Sequence, residues 1–176
     1  DTSGELEDID IVIIPGTKTT TKDLNYLKKS GLADKIMKLS EEGVPVIGIC
    51  GGYQMMGHNL IDKHQTEGYI EKINGLGLLP VETSFLPEKT THQIKADINQ
   101  EFKLFQKVNK EQIEGYEIHM GETRYLDKER PVFNIKERSG KMVSIKDGAF
   151  DETKNCFGTY IHGLFNNDNF RRGILN

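Results

Sequence analysis

Apolar residues in the first third of the chain recur with two alternating periods. Residues 9–14 (Ile-Asp-Ile-Val-Ile-Ile) form a short β-branched run closed by Pro15-Gly16, the pattern of a strand buried on both faces. Over residues 20–40 the spacing becomes helical. Leu24, Leu27, Leu32, Ile36 and Leu39 fall on one stripe, Asp23 lies in the first turn and Gly43 beyond the end. Residues 44–49 again read as a buried strand, and residues 51 to about 60 as a helix. Strand, helix, strand, helix predicts an α/β fold: an open, mostly parallel sheet with helices on both faces. Ligands of such sheets sit beyond the carboxyl ends of the strands, so the turn at Pro15–Thr17 and the residues after Ile49 should share one edge.

The middle is less regular. Short strands are expected at 67–73, 78–81, 92–98 and 112–125, and antiparallel additions to the sheet fit this spacing. Residues 133–135 and 142–145 read as a hairpin across Glu137-Arg-Ser-Gly140, and 158–161 as a last parallel strand feeding a turn at His162-Gly163. Repeats and low-complexity tracts are absent from the sequence.

Composition narrows the function classes. At 176 residues the chain suits one domain. The net charge of −4, with scattered Lys and Arg, gives no electrostatic footprint for nucleic acid. Two cysteines without a C-x-x-C or H-E-x-x-H pattern predict neither a disulfide scaffold nor a metal site, and suit a reducing cytoplasm. No stretch approaches the ~18 apolar residues of a membrane span. The acidic opening without Met, and the stop inside a helical pattern at Phe170–Asn176, lead us to expect a fragment of a longer protein.

The densest chemistry lies in Gly48-Ile-Cys-Gly-Gly52. A strand running into G-x-C-x-G and then a helix is a nucleophile elbow, in which the glycines permit a sharp turn that lifts the middle side chain above the sheet edge. Helix-start N–H groups would favour the Cys50 thiolate, and the Gly51 N–H could hold an oxyanion. The plainer alternative is a buried, inert Cys, the reading given to Cys156 within its apolar strand. Among five histidines, His162 is the candidate base, because it ends an apolar strand expected at the same edge as Cys50; the alternative is a capping His. His58 lies two turns along the elbow helix, and His64 and His92 sit in polar stretches. In Gly115-Tyr-Glu-Ile-His-Met-Gly121, alternation puts Tyr116, Ile118 and Met120 on one face and Glu117, His119 and Gly121 on the other. The polar face suits a binding wall or a solvated surface. Pro15-Gly-Thr-Lys-Thr-Thr-Thr21 lacks the spacing of a phosphate-binding P-loop, so a turn facing the elbow is the better reading.

Together with Ile13-Ile-Pro-Gly-Thr-Lys18, Gly115–Gly121 and Gly158-Thr-Tyr-Ile-His-Gly-Leu-Phe165, the elbow resembles class I glutamine amidotransferase domains, specifically the C-terminal glutaminase domain of the cobyric acid synthase branch. The resemblance covers nearly the whole chain. It implies a flavodoxin-like fold and a single glutaminase domain over 1–176. Cys50 would attack the side-chain amide of glutamine to give a γ-glutamyl thioester and ammonia, with His162 as general base and acid. Backbone N–H groups of Gly51 and of the Gly16-Thr17 turn would hold the oxyanion, and Gln54, His119, Met120 and Gly121 would contact glutamine. The resemblance further implies an N-terminal synthetase domain that uses ATP and magnesium, and takes up the ammonia to amidate corrinoid carboxylates. Leu164 stands where many relatives place a Glu two residues after the His, which implies a Cys-His dyad. Glu117 or a backbone carbonyl could orient the imidazole.

Within the class, a cobyrinic acid a,c-diamide synthase or a cell-wall isoglutaminyl synthase would use the same half-reaction. Outside it stand a cysteine peptidase or γ-glutamyl hydrolase and a non-catalytic flavodoxin-like binding module.

Overall fold

The structure, a computed structural model, describes residues 8–67, 71–108 and 112–175. Its centre is a small sheet of β1 (Val12–Ile14), β2 (Val46–Ile49), β10 (Cys156–Thr159) and β9 (Ala149–Asp151), in the order β1-β2-β10-β9. The first three are parallel and β9 is antiparallel to β10. Alternation along these strands feeds two cores. Val46 and Cys156 face the core under helices α1 (Thr20–Lys29), α2 (Leu32–Glu41) and α3 (Gly51–Met56), whereas Ile47 and Phe157 face the other. The second core is aromatic, with Phe102, Phe105, Phe150, Phe157 and Phe170 in mutual ring contact. Phe170 comes from α4 (Asp168–Leu175), so helices cover both faces, and each such buried ring contributes about 1.5–3 kcal/mol.

The antiparallel additions form a second, larger sheet, ordered β11-β6-β5-β3-β4, with β7 on β5 and β8 on β7. It contains β3 (Asn59–Ile61), β4 (Lys72–Asn74), β5 (Val81–Ile98), β6 (Ile113–Tyr125), β7 (Phe133–Arg138), β8 (Lys141–Asp147) and β11 (Ile161–His162). The β7–β8 hairpin turns at Ser139-Gly140, both with positive φ (47° and 80°), the geometry that matches strand twist.

Several boundaries differ from the sequence reading. The expected helix over 20–40 is two helices, broken at Ser30-Gly31 where Gly31 takes φ 78°. The break resets the helical phase, so Ala33 is buried and Leu32 only half-buried. The elbow helix ends at Gly57, and residues near Leu60 pair as β3. Of the strand expected at 67–73 only β4 appears, beginning at Lys72; residues 68–70 lie outside the described ones. The strand expected at 78–81 does not form, since residues 78–80 are a bend and only Val81 is extended; Val81 opens the single 18-residue β5, which takes in the strand expected at 92–98 and shifts register between Ser84 and Lys89 around Pro87. The last parallel strand stops at Thr159, and His162 arrives on β11, antiparallel to β6 and opposite Tyr116.

Candidate active site

Cys50 sits between β2 and α3 with φ 53° and ψ −111°, a backbone conformation that costs a non-glycine residue roughly 1–3 kcal/mol. The flanking glycines explain how it is held. A methyl group on Gly52 would stand 1.9 Å from the Ile14 carbonyl oxygen, and one on Gly48 would stand 2.5 Å from Met56 Sδ. The helix can therefore lie directly on β1 and β2 only because both positions lack a side chain. The Cys50 N–H donates to the Thr159 carbonyl at 2.8 Å, tying the elbow to the end of β10.

The thiol opens into a cavity of about 550 Å³. Gly16, Thr17, Gln54, His119, Met120 and His162 also line it, and so do Lys18, Glu67 and Lys89. Gly16 fits between Cys50 and His162: a methyl group there would be 3.1 Å from His162 Cε1 and 3.4 Å from Cys50 Cβ. Gly51 lies against the same turn, its missing side chain leaving room for Thr17. The Gly16–Lys18 turn thus packs on the elbow and the imidazole instead of cradling a phosphate. Among the described residues no group of three or more His, Cys, Asp or Glu could hold a metal ion.

His162 is half-buried, and burial lowers its pKa; the nearby His119 lowers it further, against the hydrogen bond with the Ile118 carbonyl. A pKa below the usual 6.5 favours the neutral ring near pH 7, the form a general base would need. It stacks on Tyr116, with centroids 5.1 Å apart and planes 8° apart, and its Nε2 is buried without a hydrogen-bond partner. The Cys50 thiol donates instead to the Ile118 carbonyl at 3.3 Å. Contrary to the expectation from the helix start, burial raises the Cys50 pKa, the Gly51 N–H opposes this, and the Glu67 charge adds to it. Helix α3 has only six residues, too few for its dipole to prevail over desolvation. The resting sulfur is a thiol.

Glu117 does not orient His162. It is buried on the opposite face of β6, where Arg138 Nη2 donates to it at 2.9 Å and His119 Nε2 lies 3.7 Å away. Burial pushes its pKa up, but the neighbouring His119 imidazole and Arg138 guanidinium outweigh this and hold it low. The ring that packs on His162 is Tyr116, and the Ile118 carbonyl acts on the imidazole's pKa. Gln54 lines the cavity with both ends of its amide engaged: Nε2 donates to the Met120 carbonyl (3.1 Å) and the Tyr160 hydroxyl (3.3 Å), and Oε1 accepts from Thr20 (3.3 Å). It braces α3 against β6. Gly121 lies outside the cavity wall; with φ 102° it passes the irregular stretch of β5, where a side chain would meet the Ser84 carbonyl at 2.6 Å. Tyr116 and Ile118 join the wall, so residues from both faces of β6 reach the cavity from the middle of the strand.

Glu67 was not singled out from the sequence. It comes from a loop pinned by Asp62, whose carboxylate accepts the N–H groups of Thr66 and Glu67 at 2.8 and 2.7 Å. Glu67 in turn accepts the Thr20 N–H at 2.7 Å. The D-x-x-x-T-E spacing carries this loop signal, but nothing in it points toward Cys50. His58 and His64 are exposed, and His92 bonds Ser139 on the outside of the large sheet; none lines the cavity.

Comparison with known proteins agrees with this geometry. The chain matches the CobB/CobQ-like glutamine amidotransferase domain over residues 2–170. It belongs to that family. Cobyric acid synthase of Desulforamulus reducens is 46% identical over 156 residues, covering 89% of this chain and 30% of the relative. Cobyric acid synthase of Dehalococcoides mccartyi is 43% identical over 174 residues, 99% of this chain and 34% of the relative. The chain thus spans about a third of these relatives' length. Among solved structures, PurLQS from Thermotoga maritima superposes with a TM-score of 0.71 at 19% identity, over 100% of this chain and 82% of that one. A glutamine amidotransferase crystal structure gives 0.60 at 15% identity, over 99% and 82%. These structural neighbours establish a class I glutamine amidotransferase fold. The expected flavodoxin-like arrangement is present, and the larger, mostly antiparallel sheet of this chain supplies one wall of the cavity. No helix among the described residues is long and apolar enough to cross a membrane.

Proposed function

We propose that this chain is the glutaminase domain of a cobyric acid synthase-type amidotransferase. One observation carries the reading: a strained elbow presents Cys50 beside a neutral His162 in a cavity sized for an amino acid. Glutamine entering with its side-chain amide at the elbow displaces the thiol from the Ile118 carbonyl. His162 takes the thiol proton as sulfur bonds to the amide carbon, and returns it to the nitrogen as the C–N bond breaks. Ammonia leaves, and a γ-glutamyl thioester remains. Water, deprotonated by His162, then attacks the thioester to release glutamate and restore the thiol. The N–H of Gly51 and the Gly16-Thr17 turn are the oxyanion donors. Glu67 suits the α-ammonium of glutamine, Lys18 and Lys89 suit its carboxylate, and His119 and Met120 close the wall.

Ammonia would pass to a synthetase domain supplied by the rest of a longer chain or by a partner. That domain would bind ATP and magnesium and amidate corrinoid carboxylates in cobalamin biosynthesis, in the cytoplasm. The support is the name shared by relatives that match 98–99% of this chain at 40–43% identity. Glutamate release by this chain alone, and with the synthetase part, ATP and a corrinoid carboxylate, tests the proposal. Slow release accelerated by the full mixture is expected. Fast, uncoupled cleavage of γ-glutamyl peptides by the chain alone would instead identify a free-standing hydrolase.

A further inference from the structure

Asp147 is an acidic side chain buried outside the cavity, and the chemistry above leaves it without a role. It ends β8 in the large sheet, and the chain then crosses through Gly148 (φ 72°) to β9 in the small sheet. A second crossing, in the opposite sense, runs from β10 through Tyr160 to β11. One carboxylate laces the two together. Its Oδ2 accepts the Thr159 hydroxyl, and its Oδ1 accepts the Tyr160 N–H at 3.2 Å. The same Thr159 hydroxyl accepts the Ile161 N–H at 3.0 Å, so three consecutive residues of the crossing are fixed by two side chains.

These residues hold the reactive pair. The Thr159 carbonyl accepts the Cys50 N–H at 2.8 Å, and His162 follows Ile161 directly. Between them, the Tyr160 hydroxyl accepts from Gln54 and bonds Thr123 at 2.5 Å. The separation of sulfur and imidazole is therefore set by a bend whose own hydrogen bonds end on Asp147. We propose that Asp147, acting through Thr159, is the positioning residue that fixes Cys50 relative to His162.

The inference rests on the glutaminase reading for its kinetic consequence, while its geometric core is tested separately. Asp147→Asn leaves one acceptor for two donors, and Thr159→Val removes the linking hydroxyl while keeping the side-chain shape. Each variant should lower kcat for glutamine hydrolysis on the order of 100-fold, the scale of a misplacement of about 1 Å, with little change in KM. Thr159→Ser keeps the hydroxyl and should retain turnover. The double variant should be no slower than the worse single one, because both act through one linkage. Independently of any activity, amide hydrogen exchange should rise about 10-fold or more at Cys50 in Asp147→Asn while Ile47, on the preceding strand β2, keeps its protection. Equal loosening of Cys50 and Ile47, or unchanged exchange at both, would overturn the proposal. So would full kcat in the folded variants. A wild-type chain inert toward glutamine that still shows the selective exchange change would refute the glutaminase reading and leave the positioning role standing.

Discussion

Cys50 donates its thiol hydrogen to the carbonyl of Ile118, 3.3 Å away, and Nε2 of His162 is left without a partner. The two groups that the proposed mechanism pairs are thus not hydrogen-bonded to each other at rest. In that mechanism a substrate amide that takes the place of the Ile118 carbonyl would free the thiol to meet the imidazole and so couple sulfur activation to occupancy.

The first prediction follows from the charge beside the sulfur. Burial and Glu67 both raise the Cys50 pKa, so iodoacetamide alkylation at Cys50 should keep accelerating above pH 9. Replacing Glu67 with Gln removes a negative charge, which favours the thiolate and should move the profile to lower pH. Mass spectrometry of the modified peptide reads the rate, and an unmoved profile would remove Glu67 from the site. The same substitution should raise KM for glutamine more than it lowers kcat.

Second, His162→Asn should reduce glutamine turnover by roughly 100-fold or more, the usual scale for losing acid–base help. His119→Asn, which affects the wall and its contact with Glu117, should cost less. The reverse order in steady-state assays would transfer the proton-transfer role to His119.

Third, two glycine variants should separate folding from chemistry. Gly52→Ala drives a methyl group into the Ile14 carbonyl and should destabilise the chain by about 3 kcal/mol or more, read by denaturant unfolding. Gly16→Ala is tight only against His162 Cε1 and makes ordinary contact with Cys50 Cβ and the Ile49 carbonyl, so stability should hold while turnover falls. Loss of stability in both would show that the Gly16 turn is a structural element first.

Fourth, burial pushes the Asp147 pKa from 3.8 up to about 6, against hydrogen bonds from Thr159 and Tyr160 that lower it. An acid whose pKa is raised on folding stabilises the fold most when protonated, so this contribution is full below about pH 4 and is lost as pH rises through 6. Its span is about 3 kcal/mol. Asp147→Asn should flatten the wild-type decline in unfolding free energy over that interval; an unchanged slope would mean that the carboxyl titrates normally.

The legible parts of this molecule were those written in local periodicity. The strands ending at Ile14 and Ile49 and the elbow at Cys50 follow from apolar runs and paired glycines. The break at Ser30-Gly31 was hidden because one glycine inside a helical stripe is tolerated. β5 was hidden because Pro87 and its charged neighbours interrupt the alternation at a bulge. Cys50 and His162, which line the cavity, were singled out from their places at strand ends. Glu67 and Asp147 were not, since one is brought in by a loop folded on Asp62 and the other matters through a crossing between sheets. Both are consequences of tertiary pairing, which spacing along a chain does not encode.

Cys156 lies fully buried in β10, donates to the Leu78 carbonyl, and has its pKa pushed up to about 12 by burial. Of the two cysteines in this chain, Cys50 is the one that lines the cavity. A small maleimide fluorophore can be attached at Cys50 of the unaltered chain, and its emission would turn the cavity into an optical gauge of whatever closes over it.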